Sequence, residues 1–379
     1  MEQISIFDFT AKEKLKIDKP IRLIELFAGI GAQAKALENL GVEFEHYRIC
    51  EFDKYAVASY NAVHKTNFTT SDITQIHASD LGITETDKYE YIMTYSFPCQ
   101  NLSTFGKGAG MAKGSGTHSG LLWEVERLLK ETKELPQVLL MENVPEVIGS
   151  KNIKHFAKWV EFLDKLGYRS KWGLLNAKDF GIPQNRNRCF MVSILEDCFY
   201  NLPVGATQTK PLIEFLEFDE NYIIDPRKLT QTQKKCISHI VNETFSKTVR
   251  SGGMKIRDEH ERAVYSVDLR QSEKFIKNSL LLKKNLSKTI CAQHRNSYTI
   301  DGKIYFDYSP KECWRLMGFS DKDYYCAEKE VRNTQLYKQA GNSIVVTVLM
   351  AIFGQMFDVD WKTKINELAE ELTNERKRD

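Results

Sequence analysis

Ile21–Gly41 reads "IRLIELFAGIGAQAKALENLG", and the fold turns on how its middle is understood. Ile21–Phe27 is an apolar, β-favouring run, and Ala32–Leu40 carries a helical pattern that Gly41 should stop. Between them stands Gly29-x-Gly31-x-x-Ala34. A glycine turn directly after a strand and at the head of a helix lets the backbone bend sharply. Gly31, lacking a Cβ, would let a ligand come close. The turn predicts the first unit of an α/β nucleotide-binding sheet.

The same rhythm recurs outward to about residue 195. Further strand candidates are Phe44–Cys50, Tyr91–Phe97, Gln137–Asn143 and Cys189–Leu195. "KHFAKWVEFLDKLGY" (Lys154–Tyr168) places Phe156, Trp159, Val160 and Leu163 on one helical face, with Gly167 as its stop. Short strands alternating with helices predict a mostly parallel, Rossmann-like sheet covered by helices. "SIVVTVLMAIFGQMF" (Ser343–Phe357) is shorter than the roughly 20 residues of a membrane span and reads as a buried helix. "LAEELTNERKRD" (Leu368–Asp379) reads as a solvated, fraying tail.

Composition narrows the class. The 379 residues are 42% hydrophobic and 27% charged, ordinary for a globular protein of about two domains. Eight cysteines are present, none in a Cys-x-x-Cys pair, and no histidine pair shows metal-ligand spacing. The expectation is reduced thiols in a cytoplasmic protein, with no disulfide framework and no metal. The first twenty residues carry acids and no continuous apolar core, unlike a signal peptide. A net charge of +2 says little, but Phe245–Ile300 holds twelve Lys and Arg against five Asp and Glu. Such a stretch is a solvated face or an electrostatic footprint for nucleic acid.

Acids follow the glycine turn at successive strand ends. Glu51, in "CEFD", is placed to accept the two hydroxyls of a ribose, and Phe52 beside it to lie against a purine. Asp72, in "TTSDIT", is a plausible acceptor for an adenine amino group. The pattern predicts an adenosine-bearing cofactor and leaves a nicotinamide dinucleotide and S-adenosylmethionine both open. Three other polar clusters sit where strands should end: Cys99 in "PCQ", Glu142 and Asn143 in "ENV", and Gln184, Arg186 and Arg188 in "QNRNR". Singly, each suits inert packing or a structural ion pair; together on one scaffold they suit a single chemistry.

The ordered set "FAGIG", "PCQ", "ENV", "QNRNR" and "QAGNS" resembles the motif series of the C5-cytosine DNA methyltransferases, across about Arg22 to Met356. The resemblance implies S-adenosylmethionine as cofactor, lined by Phe27, Gly29, Gly31, Glu51, Phe52, Asp72, Ile73, Pro98, Leu122, Asn342 and Ser343. It implies Cys99 as the nucleophile that adds to carbon 6 of cytosine, making carbon 5 able to take a methyl group. Glu142 would hold the N3 edge, while Arg188 with Arg186 would hold the O2 side and favour the Cys99 thiolate. The target base must leave the duplex, with Asn101–Gly120 as a lid and Phe105 and Lys107 in the stretch that enters the vacated stack. Thr289, Gln293 and Arg295 would lie in the target-recognition region.

The implied organisation is an N-terminal extension (1–20), a catalytic and cofactor-binding domain (21–198), a smaller, irregular target-recognition domain (199–307) and a return to the catalytic domain (308–379). The expected partner is double-stranded DNA, with a separate cognate restriction endonuclease possible, no membrane, and a monomeric state. Rival readings are a nicotinamide-dependent oxidoreductase, a non-catalytic DNA-binding protein, and a tRNA cytosine-5 methyltransferase of the same fold.

Overall fold

The structure is a computed structural model that describes residues 15–102, 110–196, 198, 200–205, 210–224, 231, 264–267, 286–290, 292, 297–300 and 304–374. Two compact units divide the chain. The first is Met1–Leu175, Asn187–Gly205 and Val348–Lys364; the second is Asn176–Arg186, Ala206–Thr347 and Ile365–Asp379.

The first unit is built on a six-stranded sheet. Its strands are β1 (Ile21–Leu26), β2 (Phe44–Cys50), β3 (Glu90–Tyr95), β4 (Val138–Asn143), β5 (Arg169–Asn176) and β7 (Asn187–Ile194), in the order β2-β1-β3-β4-β7-β5. β1 runs parallel to β2 and β3, and β3 runs parallel to β4. β7 is antiparallel to β4, pairing Glu142 with Phe190 and Asn143 with Cys189. Every residue of β3 and β4 is buried, as expected of central strands covered on both faces. Helices α1 (Ala32–Leu40), α2 (Lys54–His64), α4 (Leu122–Glu131) and α5 (Ile153–Lys165) belong to this unit, together with the short α3 (Ala78–Leu81). Phe156, Trp159 and Leu163 of α5 enter the apolar core that also holds Ile24, Met93, Tyr95 and Met141. β5 was not expected from the sequence. Its exposed Trp172 and Leu174 lie at the sheet edge, and its burial pattern lacks the alternation that marks a half-buried strand.

The second unit contains a two-stranded parallel pair, β6 (Gln184–Asn185) with β9 (Ser287–Lys288). It also contains an antiparallel sheet of β8 (Val264–Val267), β10 (Ser297–Ile300) and β11 (Ile304–Asp307). Helices α6 (Pro310–Arg315), α7 (Asp321–Glu328) and α8 (Asn333–Asn342) follow.

The compact units are drawn differently from the sequence segmentation. Of residues 308–379, only Val348–Lys364 joins the first unit. The reason is a buried cluster that ties α6–α8 to β10. Glu312 accepts the Glu217 N–H at 2.7 Å and the Tyr298 hydroxyl at 3.2 Å, and Tyr337 donates its hydroxyl to the Tyr308 carbonyl at 2.7 Å. α9 (Val346–Phe357) is the buried helix foreseen, with Leu349, Met350, Ala351, Ile352 and Phe353 fully covered. The expected fraying tail is corrected in part. Up to Asn374 it is helix α10 (Trp361–Asn374), whose Leu368, Ala369 and Leu372 are buried; residues 375–379 lie outside the described residues. Among the described residues no single helix is long and apolar enough to cross a membrane.

Candidate active site

At the end of β1 the chain turns through residues with positive φ: Phe27 at 58°, Gly29 at 58° and Gly31 at 78°. Phe27, a non-glycine held in this costly region, is secured by donating its N–H to the Cys50 carbonyl at 2.7 Å. Ala28 donates to the same carbonyl at 3.3 Å, so the ends of β1 and β2 are tied together. The two glycines have different reasons to be glycine. A Cβ on Gly29 would meet nothing within 4 Å, so the open side of the turn is here. A Cβ on Gly31 would lie 2.3 Å from His64 Nε2 and 2.6 Å from the Tyr60 ring. Gly31 therefore serves the close packing of α2 behind the turn.

Glu51 is bound into the same turn. Its Oε2 accepts the Gly29 N–H at 3.0 Å and its Oε1 accepts the Asp53 N–H at 2.9 Å. Burial raises its carboxyl above the ordinary range, and these backbone donors oppose the shift. Each carboxylate oxygen offers two lone pairs, so one backbone bond apiece leaves capacity for ribose hydroxyls. Phe52 is 73% exposed, a large apolar ring held at the surface beside that carboxylate. Asp72 is also exposed, its Oδ1 fixed by the N–H and hydroxyl of Thr74, both at 2.9 Å. Open space at Gly29, an oriented carboxylate and an exposed aromatic face fit an adenosine-bearing cofactor. Ile73 and Leu122 are buried in the apolar core.

At the same end of the sheet come the chemical groups. Cys99 lies four residues beyond β3, in a turn closed by Leu102 N–H to the Cys99 carbonyl at 2.9 Å. Ser119 donates its hydroxyl to the Pro98 carbonyl at 2.7 Å, and Asn143 donates its amide to the Phe97 carbonyl at 2.8 Å. Ser119 and Asn143 were given no role from sequence. An asparagine closing a buried strand is a signal that could have been used; for Ser119, 21 residues from its acceptor, there was none. Cys99 is half-buried, whereas burial pushes the Cys50 thiol to about 11 and the Cys189 thiol to about 12. Those two remain thiols near neutral pH and are poor nucleophiles.

Glu142 ends β4 and Arg188 begins the antiparallel β7, which brings both to one end of the sheet. Arg188 Nε stands 3.2 Å from Glu142 Oε1, and Glu142 is 9% exposed. Arg186 behaves otherwise. It lies in the second unit, 4% exposed, and donates to the carbonyls of Ile290 at 2.7 Å, Gly341 at 3.0 Å and Ser343 at 2.7 Å. Its guanidinium is committed to backbone, which revises the expectation that it shares the base-holding role. Asn342 and Ser343 end α8 in that unit, and Thr289 donates its hydroxyl to the Asn185 carbonyl at 2.7 Å. Phe105, Lys107, Gln293 and Arg295 lie outside the described residues.

A strand–glycine turn–helix with a cofactor-suited rim, followed at the same end of the sheet by a half-buried thiol and a carboxylate–guanidinium pair, is the architecture of a Rossmann-like methyltransferase. The chain belongs to the C-5 cytosine-specific DNA methylase family, whose model matches residues 21–358. It is 30% identical to the type II methyltransferase M2.ScrFI of Lactococcus lactis subsp. cremoris, over 89% of this chain and 99% of that one. It is also 30% identical to the type II methyltransferase M.HhaI of Haemophilus parahaemolyticus, over 88% and 93%. Among solved structures, Dnmt2 methyltransferase of S. pombe shares the fold at a TM-score of 0.57 and 16% identity, covering 88% of this chain and 97% of that one. The protein is a DNA (cytosine-5-)-methyltransferase, and membership of the family implies S-adenosylmethionine as methyl donor.

Proposed function

We propose that Cys99, Glu142 and Arg188 carry out the transfer on a flipped-out cytosine in a specific duplex sequence. The Cys99 thiolate adds to carbon 6 and moves electron density to carbon 5. Glu142 meets the N3 edge and stabilises the charge that builds there, while Arg188 orients Glu142 and offers its remaining N–H groups to O2. S-adenosylmethionine, when bound against Gly29, Glu51, Phe52 and Asp72, supplies the electrophilic methyl group. Loss of the C5 proton to solvent and departure of Cys99 then restore the aromatic ring. The observation that carries this reading is the Arg188–Glu142 pair at 3.2 Å, at the end of the sheet beyond which Cys99 stands half-buried.

The target-recognition domain (199–307), with its basic stretch Phe245–Ile300, is the proposed reader of double-stranded DNA, its Lys and Arg giving affinity through phosphate contacts. The enzyme is proposed to act as a cytoplasmic monomer, with a cognate endonuclease working separately. The test is a duplex carrying 5-fluorocytosine at the target, incubated with S-adenosylmethionine, because fluorine cannot leave as a proton does. Mass spectrometry should find a covalent adduct on the Cys99 peptide and none with Cys99→Ser. An adduct elsewhere, or none, overturns the covalent route.

A further inference from the structure

Behind the glycine turn, on the side away from Gly29, three elements of the first unit bring Glu38 of α1, His46 of β2 and His64 of α2 together. One donor atom from each lies within 4.8 Å of the other two. His64 Nδ1 is 2.6 Å from Glu38 Oε1, and His46 Nε2 is 3.6 Å from the same oxygen.

The surrounding hydrogen bonds set the orientation of both rings. Tyr60 donates its single hydroxyl proton to Glu25 Oε2 at 2.5 Å, so its oxygen can only accept from His46 Nδ1 at 3.1 Å. That puts the His46 proton on Nδ1 and the lone pair on Nε2. His64 Nε2 donates to the Ile30 carbonyl at 3.2 Å, and Nδ1 shares a proton with Glu38 Oε1 at 2.6 Å, a proton that a cation bound there would displace. Both imidazoles thus have the outer nitrogen anchored and the inner one turned toward a shared carboxylate oxygen. This is the arrangement by which second-shell partners orient the histidines of a metal site.

From this geometry we infer a site for a divalent transition-metal ion, of the zinc class, with His46 Nε2, His64 Nδ1 and Glu38 Oε1 as its protein ligands. Two imidazoles and one carboxylate suit zinc rather than calcium or magnesium, which prefer all-oxygen shells. Tetrahedral zinc with such ligands sets donor-to-donor separations of about 3.4 Å. The His46–Glu38 distance already matches, and the His64–Glu38 distance must open by less than 1 Å. Lys35 Nζ holds Glu38 Oε2 at 2.6 Å, so Glu38 offers a single oxygen. The His64 side chain is fully covered, whereas His46 and Glu38 are 20% and 30% exposed. That side supplies the entry path and the room for a water as fourth ligand. The ion would be structural, pinning α1, β2 and α2 where His64 supports Ile30 of the turn.

The test uses the full chain, stripped with chelator and titrated with Co2+ as a spectroscopic probe, Zn2+ then competing. His46→Asn keeps an amide N–H for Tyr60 and removes the ligand nitrogen; His64→Gln keeps one for Ile30 and does the same. Wild type should bind one equivalent of Co2+ with d–d bands and no thiolate charge-transfer band. Each variant should bind roughly 100-fold more weakly or worse. Zn2+ should raise the thermal midpoint of wild type and leave that of His46→Asn unchanged. Circular dichroism without metal checks folding, and if His64→Gln fails to fold, His46→Asn decides alone. No Co2+ uptake by wild type, a thiolate band, or unchanged affinity in His46→Asn overturns the site.

Discussion

Arg188 and Arg186 stand two positions apart in "QNRNR", yet one faces Glu142 and the other three backbone carbonyls. The motif announces two guanidiniums. It does not divide their work, because Ile290 and Gly341 lie more than a hundred residues away in sequence. The division is testable. Arg188→Lys keeps a cation beside Glu142 but loses the guanidinium geometry, and should lower kcat about 100-fold with little change in the urea midpoint. Arg186→Met should instead lower unfolding stability by about 2–4 kcal/mol, because buried carbonyls lose their donor. Cysteine numbers tell a similar story: eight thiols are equal on paper, and burial separates Cys99 from Cys50 and Cys189.

At the scale of elements, the strand–turn–helix from Ile21 to Leu40 was legible because its signals are local: a β-favouring run, a glycine pair and a helical pattern. The division of labour between its glycines was not legible, since it depends on α2 packing against the turn. Gly31→Ala would place a methyl group against His64 and Tyr60 at a φ of 78°. It should weaken S-adenosylhomocysteine binding by at least about tenfold, measured by calorimetry, because the turn must move to relieve the clash. β5 escaped detection for a related reason. Edge strands answer to fewer neighbours, and Arg169–Leu175 shows no period that a sheet face would impose.

Over the whole molecule, stability should carry the mark of Glu90, buried at the start of β3. Burial pushes its carboxyl to about 7; Lys19 pulls it down and Glu196 pushes it up. An acid raised in the folded state favours folding while protonated. Its contribution is full below the ordinary 4.5 and is lost as pH rises through about 7. Glu90→Gln should therefore raise the unfolding free energy from urea titration at pH 8, by about 1 kcal/mol once solvent screening is allowed for, and the gain should vanish near pH 4. An equal gain at both pH values would remove Glu90 as the cause.

The sequence by itself determined the α/β rhythm of residues 21–195, the glycine turn, the order of the chemical motifs and hence the family and its reaction. These are properties of short stretches, which backbone preferences and motif spacing encode directly. Tertiary structure alone decided that Cys50 and Cys189 are shut away while Cys99 is not, which arginine meets Glu142, and that 308–347 packs as one unit with β10. It also decided that Glu38, His46 and His64 converge, from three elements with no motif between them. Desolvation and the choice of hydrogen-bond partner depend on what packs over a residue, and that neighbour is usually far along the chain.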